Sequence, residues 1–104
     1  MSSKISLIAK LTVAEGKADE LKSALADLIA AADEEAGLEV YSAHQDANDP
    51  SIFYFFEVYE GQDALAVHGK GDKMKAGMRA LGGMLAGAPE VTMMTPVVAK
   101  GLDL

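Results

Sequence analysis

Two histidines and one strand glutamate are the residues best suited to proton chemistry. His44 and His68 are the only histidines of the chain, and no third ligand stands at a fixed spacing from them, so no metal site is predicted. His68 follows a short helical segment, where a neutral imidazole can take or give a proton near neutral pH. A histidine at a helix end can equally be a structural residue bonded to the backbone.

Glu57 lies inside an apolar and aromatic run that begins at Ile52. A carboxylate in such surroundings costs free energy unless it is solvated, protonated or paired. Arg79, the single arginine of the chain, is the natural candidate for an ion pair with it. The sequence therefore leaves two roles open for Glu57: a paired structural carboxylate, or a group that handles a proton.

Aromatic and methionine side chains offer a lining for a flat hydrophobic ligand. Tyrosine hydroxyls can point into a pocket, although strand tyrosines are more often packing residues. Methionines adapt to a ligand, and they fill an irregular core equally well. The candidate catalytic residues are His68, Glu57 and Tyr59, and the candidate binding residues are Tyr41, Phe53, Phe55, Met74, Met78 and Arg79.

Cofactor motifs are absent from the sequence. No Gly-rich nucleotide fingerprint follows a strand, and there is no P-loop, no HExxH motif and no Ser-centred elbow. Gly69-Lys70-Gly71 lacks the spacing and the following Ser or Thr of a phosphate loop. With no cysteine, thiolate metal sites and disulfides are excluded as well, so we expect no cofactor.

The elements that carry these residues follow from hydrophobic periodicity. Alternation predicts a first strand from Ile5 to Val13, and helical spacing predicts a first helix from Ala18 to about Glu35. A second strand begins at Leu38, with Val40 on the same face and Tyr41 on the opposite face. Turn residues at Asn48-Asp49-Pro50 then predict a hairpin into a third strand from Ile52 to Tyr59.

A split helix and a last strand complete the chain. Residues 64–68 read as a short helix, and a longer helix follows, with Met74, Met78, Leu81 and Leu85 on one stripe. A fourth strand is predicted from Val91 to Ala99, with Pro96 at an edge or bulge. The order βαββααβ predicts an α+β, ferredoxin-like fold with a four-stranded antiparallel sheet.

Composition limits the classes of partner. The chain has 104 residues, half of them hydrophobic, and we assign residues 1–104 to one domain. A net charge of −7 disfavours nucleic acid and anionic membranes, and no apolar run is long enough to span a bilayer. We expect a soluble, cytoplasmic protein. The apolar third strand of so small a domain also predicts a homodimer.

Motifs in order along the chain resemble those of the antibiotic biosynthesis monooxygenase family, which includes small quinol monooxygenases. The matching residues are Lys10, Glu15-Gly16-Lys17, Glu20-Leu21, Glu35-Ala36-Gly37, Tyr41, Asp49-Pro50, Phe53, Glu57, Tyr59, Ala64-Leu65 and His68. The resemblance implies a dimeric α+β barrel, and a hydrophobic cavity between the sheet and the helices of each subunit. It further implies oxidation of phenolic or quinol-like substrates with dioxygen and no bound cofactor.

The same resemblance bears on individual residues. His68 matches the family's histidine after the third strand. Tyr59 stands where many members have tryptophan, and Lys73 and Ala36 replace a common histidine and proline, so haem degradation is disfavoured. Two other functions remain open: a non-catalytic dimeric carrier or scavenger of flat hydrophobic molecules, and a cofactor-free isomerase or cyclase.

Overall fold

A computed structural model describes residues 3–104 of the chain, so Met1 and Ser2, which the predicted domain includes, lie outside the described residues. Within these residues, four strands and three α-helices follow one another in the predicted order. They are β1 (Ile5–Thr12), α1 (Ala18–Ala31), β2 (Leu38–Gln45), β3 (Ile52–Tyr59), α2 (Gln62–Val67), α3 (Asp72–Gly82) and β4 (Glu90–Met94), with a 3-10 turn (Ala32–Glu34) after α1.

The strands form one antiparallel sheet in the order β2-β3-β1-β4, which confirms the ferredoxin-like α+β fold. The two central strands are therefore β1 and β3, and β2 and β4 are the edges. In this register Glu57 of β3 lies opposite Leu7 on one side and Tyr41 on the other. Directly opposed residues share a face of the sheet, so the buried carboxylate sits at the centre of the face that the helices cover.

A β-bulge in β2 decides which face Tyr41 occupies. Leu38 pairs with Tyr59 and Val40 pairs with Val58, so Glu39 is the additional residue in the ladder. Leu38 and Tyr41 consequently both pack against the hydrophobic core. The prediction that Leu38 and Val40 share a face was wrong, because a bulge inverts the alternation and leaves no mark in simple periodicity.

The hydrophobic core fills the space between the sheet and the two longer helices. Its fully buried members include Leu11, Leu21, Leu28 and Met74. Gly77 lets α3 approach α1 closely, since a Cβ atom at this position would come within 2.6 Å of the Leu28 side chain. α1 and α3 therefore pack closely against each other at this point.

Three predicted elements end earlier than expected, and α3 is one of them: it ends at Gly82, so Leu85 lies beyond the helix and forms an isolated bridge with Val13. The first helix ends at Ala31 and tightens into the 3-10 turn before it reaches Glu35. β4 ends at Met94 rather than continuing to Ala99, because it pairs only with β1 and Pro96 cannot donate a ladder hydrogen bond. Among residues 3–104, no helix has both the length and the apolar character that crossing a membrane requires.

Candidate active site

A cavity of about 640 Å³ lies between the open part of the sheet, α3 and the segment that connects α3 to β4. Its walls are mostly apolar, and its titratable lining residues are Tyr41, Glu57 and His68. The other lining residues are Leu7, Ala9, Leu11, Leu28, Phe55, Met78, Leu81, Gly82, Leu85, Ala86, Gly87, Ala88, Pro89 and Val91. Pockets of this size and polarity are typical of small-molecule sites.

His68 stands at the polar end of the cavity, immediately after α2. Its Nδ1 atom lies 2.8 Å from Oε1 of Glu35, within hydrogen-bond distance. Its Nε2 atom lies 3.7 Å from Oε1 of Glu57. The imidazole is therefore held between two carboxyl groups, and both the His68 and Glu35 side chains are largely buried.

Glu57 is the most buried polar group that lines the cavity, with 5% of the residue exposed. The Tyr59 hydroxyl donates a short hydrogen bond to its Oε1 atom. Burial raises the pKa of the Glu57 carboxyl above its ordinary value, against the opposing effects of the Tyr59 hydrogen bond and the His68 charge. This carboxyl therefore holds its proton more tightly than an exposed glutamate does.

The two tyrosines of the site frame the imidazole. Tyr41 stacks on Phe55 with ring centroids 4.8 Å apart, and it meets His68 edge-on at 5.6 Å. Tyr59 also meets His68 edge-on, with ring centroids 5.4 Å apart. Burial, reinforced by nearby carboxylates, raises the pKa of both tyrosines well above the usual range. Both phenols stay protonated at neutral pH, so they act as donors rather than bases.

The structure brings together some of the predicted site residues and separates others. Of the candidates, His68, Glu57, Tyr41, Phe55 and Met78 line the cavity. Tyr59 is fully buried behind Glu57 and reaches the site through its hydrogen bond.

Three predicted residues lie elsewhere. Phe53 and Met74 are buried in the hydrophobic core and do not line the cavity. Arg79 is exposed on α3 and does not line the cavity. The expected ion pair of Arg79 with Glu57 was wrong, since Tyr59 and His68 are the polar neighbours of this carboxylate.

Sequence reasoning missed Glu35 and the wall formed by residues 85–89. Glu35 belongs to a motif that was noticed, Glu35-Ala36-Gly37, yet nothing in its spacing connects it to a histidine 33 positions further along the chain. The missed wall has small residues and no periodicity that would predict a ligand contact.

Across the part of the chain that the structure describes, no group of three or more His, Cys, Asp or Glu side chains is arranged to hold a metal ion. His68, Glu35 and Glu57 form a cluster of titratable side chains in which the imidazole lies between the two carboxyl groups. Fold and site together define a small α+β protein with a buried histidine–carboxylate cluster at one end of an apolar cavity.

The family profile of antibiotic biosynthesis monooxygenases matches residues 4–80. A Caulobacter crescentus crystal structure whose description carries that family name has a TM-score of 0.86 to this chain at 32% sequence identity, over 93% of this chain and 92% of its own. A Pseudomonas aeruginosa protein has a TM-score of 0.83 at 30% identity, over 94% of this chain and 98% of its own. This chain belongs to the antibiotic biosynthesis monooxygenase family.

A Nitrosomonas europaea protein of the same description shares the fold alone, with a TM-score of 0.88 at 18% identity over 97% of each chain. Among functionally curated proteins, no sequence matches this chain significantly. Membership of the family and the similar structures support a monooxygenase-like function for this chain, and they identify no substrate.

Proposed function

We propose that this protein is a cofactor-independent monooxygenase that oxidises a phenolic or quinol-like aromatic compound with dioxygen. The observation that carries this proposal is the position of His68, which lines the apolar cavity while its Nδ1 atom contacts Glu35 and its Nε2 atom lies 3.7 Å from Glu57. An imidazole fixed in this way is suited to accept a proton from a ligand hydroxyl.

The cavity suits an uncharged, flat aromatic substrate. Its volume of about 640 Å³ accommodates several fused rings, and its polar side chains are gathered at the His68 end. Among the described residues, those that line it include no lysine and no arginine. An anionic ligand would therefore meet the Glu57 carboxyl with no lysine or arginine in the wall to compensate its charge, which favours a neutral phenol over a carboxylated one.

Deprotonation is the step that the protein promotes. His68 takes the phenolic proton at Nε2, while the protonated hydroxyl of Tyr41 is available to donate a hydrogen bond to the resulting oxyanion. The phenolate is a much better electron donor than the phenol. Stacked Tyr41 and Phe55 offer an aromatic surface against which the substrate ring packs.

The oxidation balances without a cofactor, because the substrate supplies every electron. The phenolate transfers one electron to dioxygen, and the two radicals combine to form a peroxide at a ring carbon that bears a hydrogen, opposite the oxygen in a simple phenol and next to it in a quinol. Proton return from His68 and loss of the ring hydrogen then break the O–O bond, releasing one water and leaving a second carbonyl. Phenol and dioxygen thereby give quinone and water, and each product contains one of the two atoms of dioxygen. Exclusion of bulk water by the apolar walls protects the intermediates.

A homodimer is part of this proposal. Ile8 and Phe56 are paired, half-buried residues on the sheet face that the helices do not cover. Val97 and Val98, which follow β4, are 83% and 87% exposed. A second copy of the chain would cover these apolar surfaces. Sedimentation at micromolar concentration tests this: we expect twice the chain mass of 10.9 kDa, and a clean monomer would contradict it.

The apolar lining also fits a protein that binds a flat ligand without changing it, and the His68 base also fits an isomerase or cyclase. Incubation with a hydroquinone and an anthrone panel, in air and under nitrogen, separates the three functions. A monooxygenase turns over only in air, an isomerase turns over under both atmospheres, and a binding protein gives saturable fluorescence quenching with no product. Turnover confined to air, above autoxidation, is the expected result.

A further inference from the structure

Glu35 is a largely buried side chain that does not itself line the cavity. One of its oxygens contacts His68 Nδ1 at 2.8 Å. Its other oxygen, Oε2, is buried without a hydrogen-bond partner among residues 3–104. A half-satisfied buried carboxylate costs stability, and such groups are retained mostly where they serve a function.

The backbone around Glu35 is fixed on both sides. Its N–H donates to the carbonyl of Ala32 at 2.9 Å, and its carbonyl accepts from the N–H of Leu38 at 3.0 Å. Glu35 therefore sits in a closed turn between the 3-10 turn and β2. A side chain on such a turn has few ways to move away from its partner.

α2, the helix that ends just before His68, packs directly on the same turn. Gly37 lies so close to α2 that a Cβ atom on it would come within 2.5 Å of the Ala64 Cβ atom. The Gly37 carbonyl also accepts a hydrogen bond of 2.8 Å from the N–H of Glu60, just before α2. The distance between Glu35 and His68 is thus set by backbone packing, which is the way proteins hold a pair of groups in productive geometry.

We propose that Glu35 is the positioning residue of this site: it fixes the His68 proton on Nδ1, so that Nε2, the nitrogen on the Glu57 side of the ring, keeps its lone pair and can accept a proton. An ionised carboxylate can only accept a hydrogen bond, so the contact requires an N–H at Nδ1. The same negative charge stabilises the imidazolium that forms when His68 accepts a substrate proton. The catalytic part of this inference rests on the proposed monooxygenase function, whereas the placement of the proton does not.

Imidazole ¹⁵N NMR of neutral His68 measures the placement of the proton without any substrate. The chain has two histidines, and exposed His44, bonded through Nε2 to Ser42 at 2.8 Å, serves as the internal reference. We expect wild-type His68 to carry its proton on Nδ1. Glu35→Leu removes the acceptor and should move the proton towards Nε2, which free imidazole side chains favour. Glu35→Gln keeps an acceptor but loses the charge and should give an intermediate result.

Glu34→Gln is the matched control, because Glu34 is the preceding, exposed residue and its carboxylate contacts Lys73 at 3.4 Å. It should leave the His68 tautomer and the turnover unchanged. With an active phenol we expect kcat to fall about tenfold in Glu35→Gln and about a hundredfold in Glu35→Leu, with KM little changed. The melting temperature of Glu35→Gln should stay level or rise, whereas a purely structural role predicts a loss.

The outcomes are distinct. A wild-type His68 that carries its proton on Nε2, or a tautomer that Glu35→Leu leaves unchanged, overturns the positioning role. If the tautomer responds as expected while the wild-type protein oxidises no phenol, the positioning role stands and the monooxygenase function falls.

Discussion

Two substitutions of His68 separate its role as a base from its structural contact with Glu35. One of them keeps a contact with Glu35, and the other removes it. In His68→Gln the side-chain amide can still donate to the Glu35 carboxylate, but it cannot accept a proton from a substrate. We expect kcat to fall by about a hundredfold or more, which is the ordinary contribution of a general base. Stability should change by about 1 kcal/mol or less.

His68→Ala should lower both quantities. It removes the 2.8 Å contact and leaves both oxygens of Glu35 without a partner in a buried site. Loss of a hydrogen bond to a buried charged group costs about 2 kcal/mol. In a domain of this size, that corresponds to a fall in melting temperature of about 8 °C or more.

The assay pairs thermal unfolding with turnover of an active phenol, normalised to folded protein. His44→Gln is the matched control, since His44 is exposed on β2 and outside the main cavity, and it should leave kcat unchanged. Full activity in His68→Gln would remove His68 from the mechanism. An unchanged melting temperature in His68→Ala would mean that the Glu35 contact contributes nothing to the folded state.

Three further substitutions test the site. Burial raises the pKa of Glu57 above 4.5, so the native state holds this proton more tightly than the unfolded state, and wild-type stability falls as pH rises above that value. The melting temperature of Glu57→Gln minus that of the wild type should therefore increase as the pH rises above 4.5. A difference that does not change with pH would contradict a raised pKa for Glu57. Arg79→Ala should change kcat and KM by less than about twofold, since the residue is exposed outside the cavity, and a large KM effect would restore its predicted binding role. Gly37→Ala should lower stability by about 2 kcal/mol and reduce kcat, because the added methyl group collides with Ala64 and displaces α2; thermal unfolding and turnover check both effects.

The sequence predicted the elements well, because long alternating or helical patterns are decided locally. β1 and β3 follow the periodicity of their apolar residues almost to the residue, and α1 begins at the predicted residue. Prediction failed where geometry depends on distant partners. The bulge at Glu39 and the early end of β4 are set by pairing with neighbouring strands, which periodicity does not report.

In the candidate site, too, residues with a local signal were predicted, whereas contacts between distant parts of the chain were not. His68 and Glu57 were identified from their chemistry and from motif order, and the cavity includes both. The partner of Glu57 could not be predicted, because Arg79 was selected as the single arginine while a tyrosine two residues away satisfies the carboxylate. Glu35 was missed because its contact depends on the close approach of α2 to Gly37, a tertiary feature with no local signature.

Cofactor-independent monooxygenation is tested most directly by the stoichiometry of dioxygen use. The purified protein is assayed with a phenol or an anthrone that it binds. Oxygen-electrode traces, product analysis with isotopically labelled dioxygen and a peroxide assay are run on the same samples, with His68→Gln as the inactive reference. We expect one dioxygen to be consumed per quinone formed, one labelled oxygen atom in each quinone and no accumulation of hydrogen peroxide. Saturable binding without oxygen uptake above autoxidation, or one hydrogen peroxide per turnover with no label in the product, would contradict it.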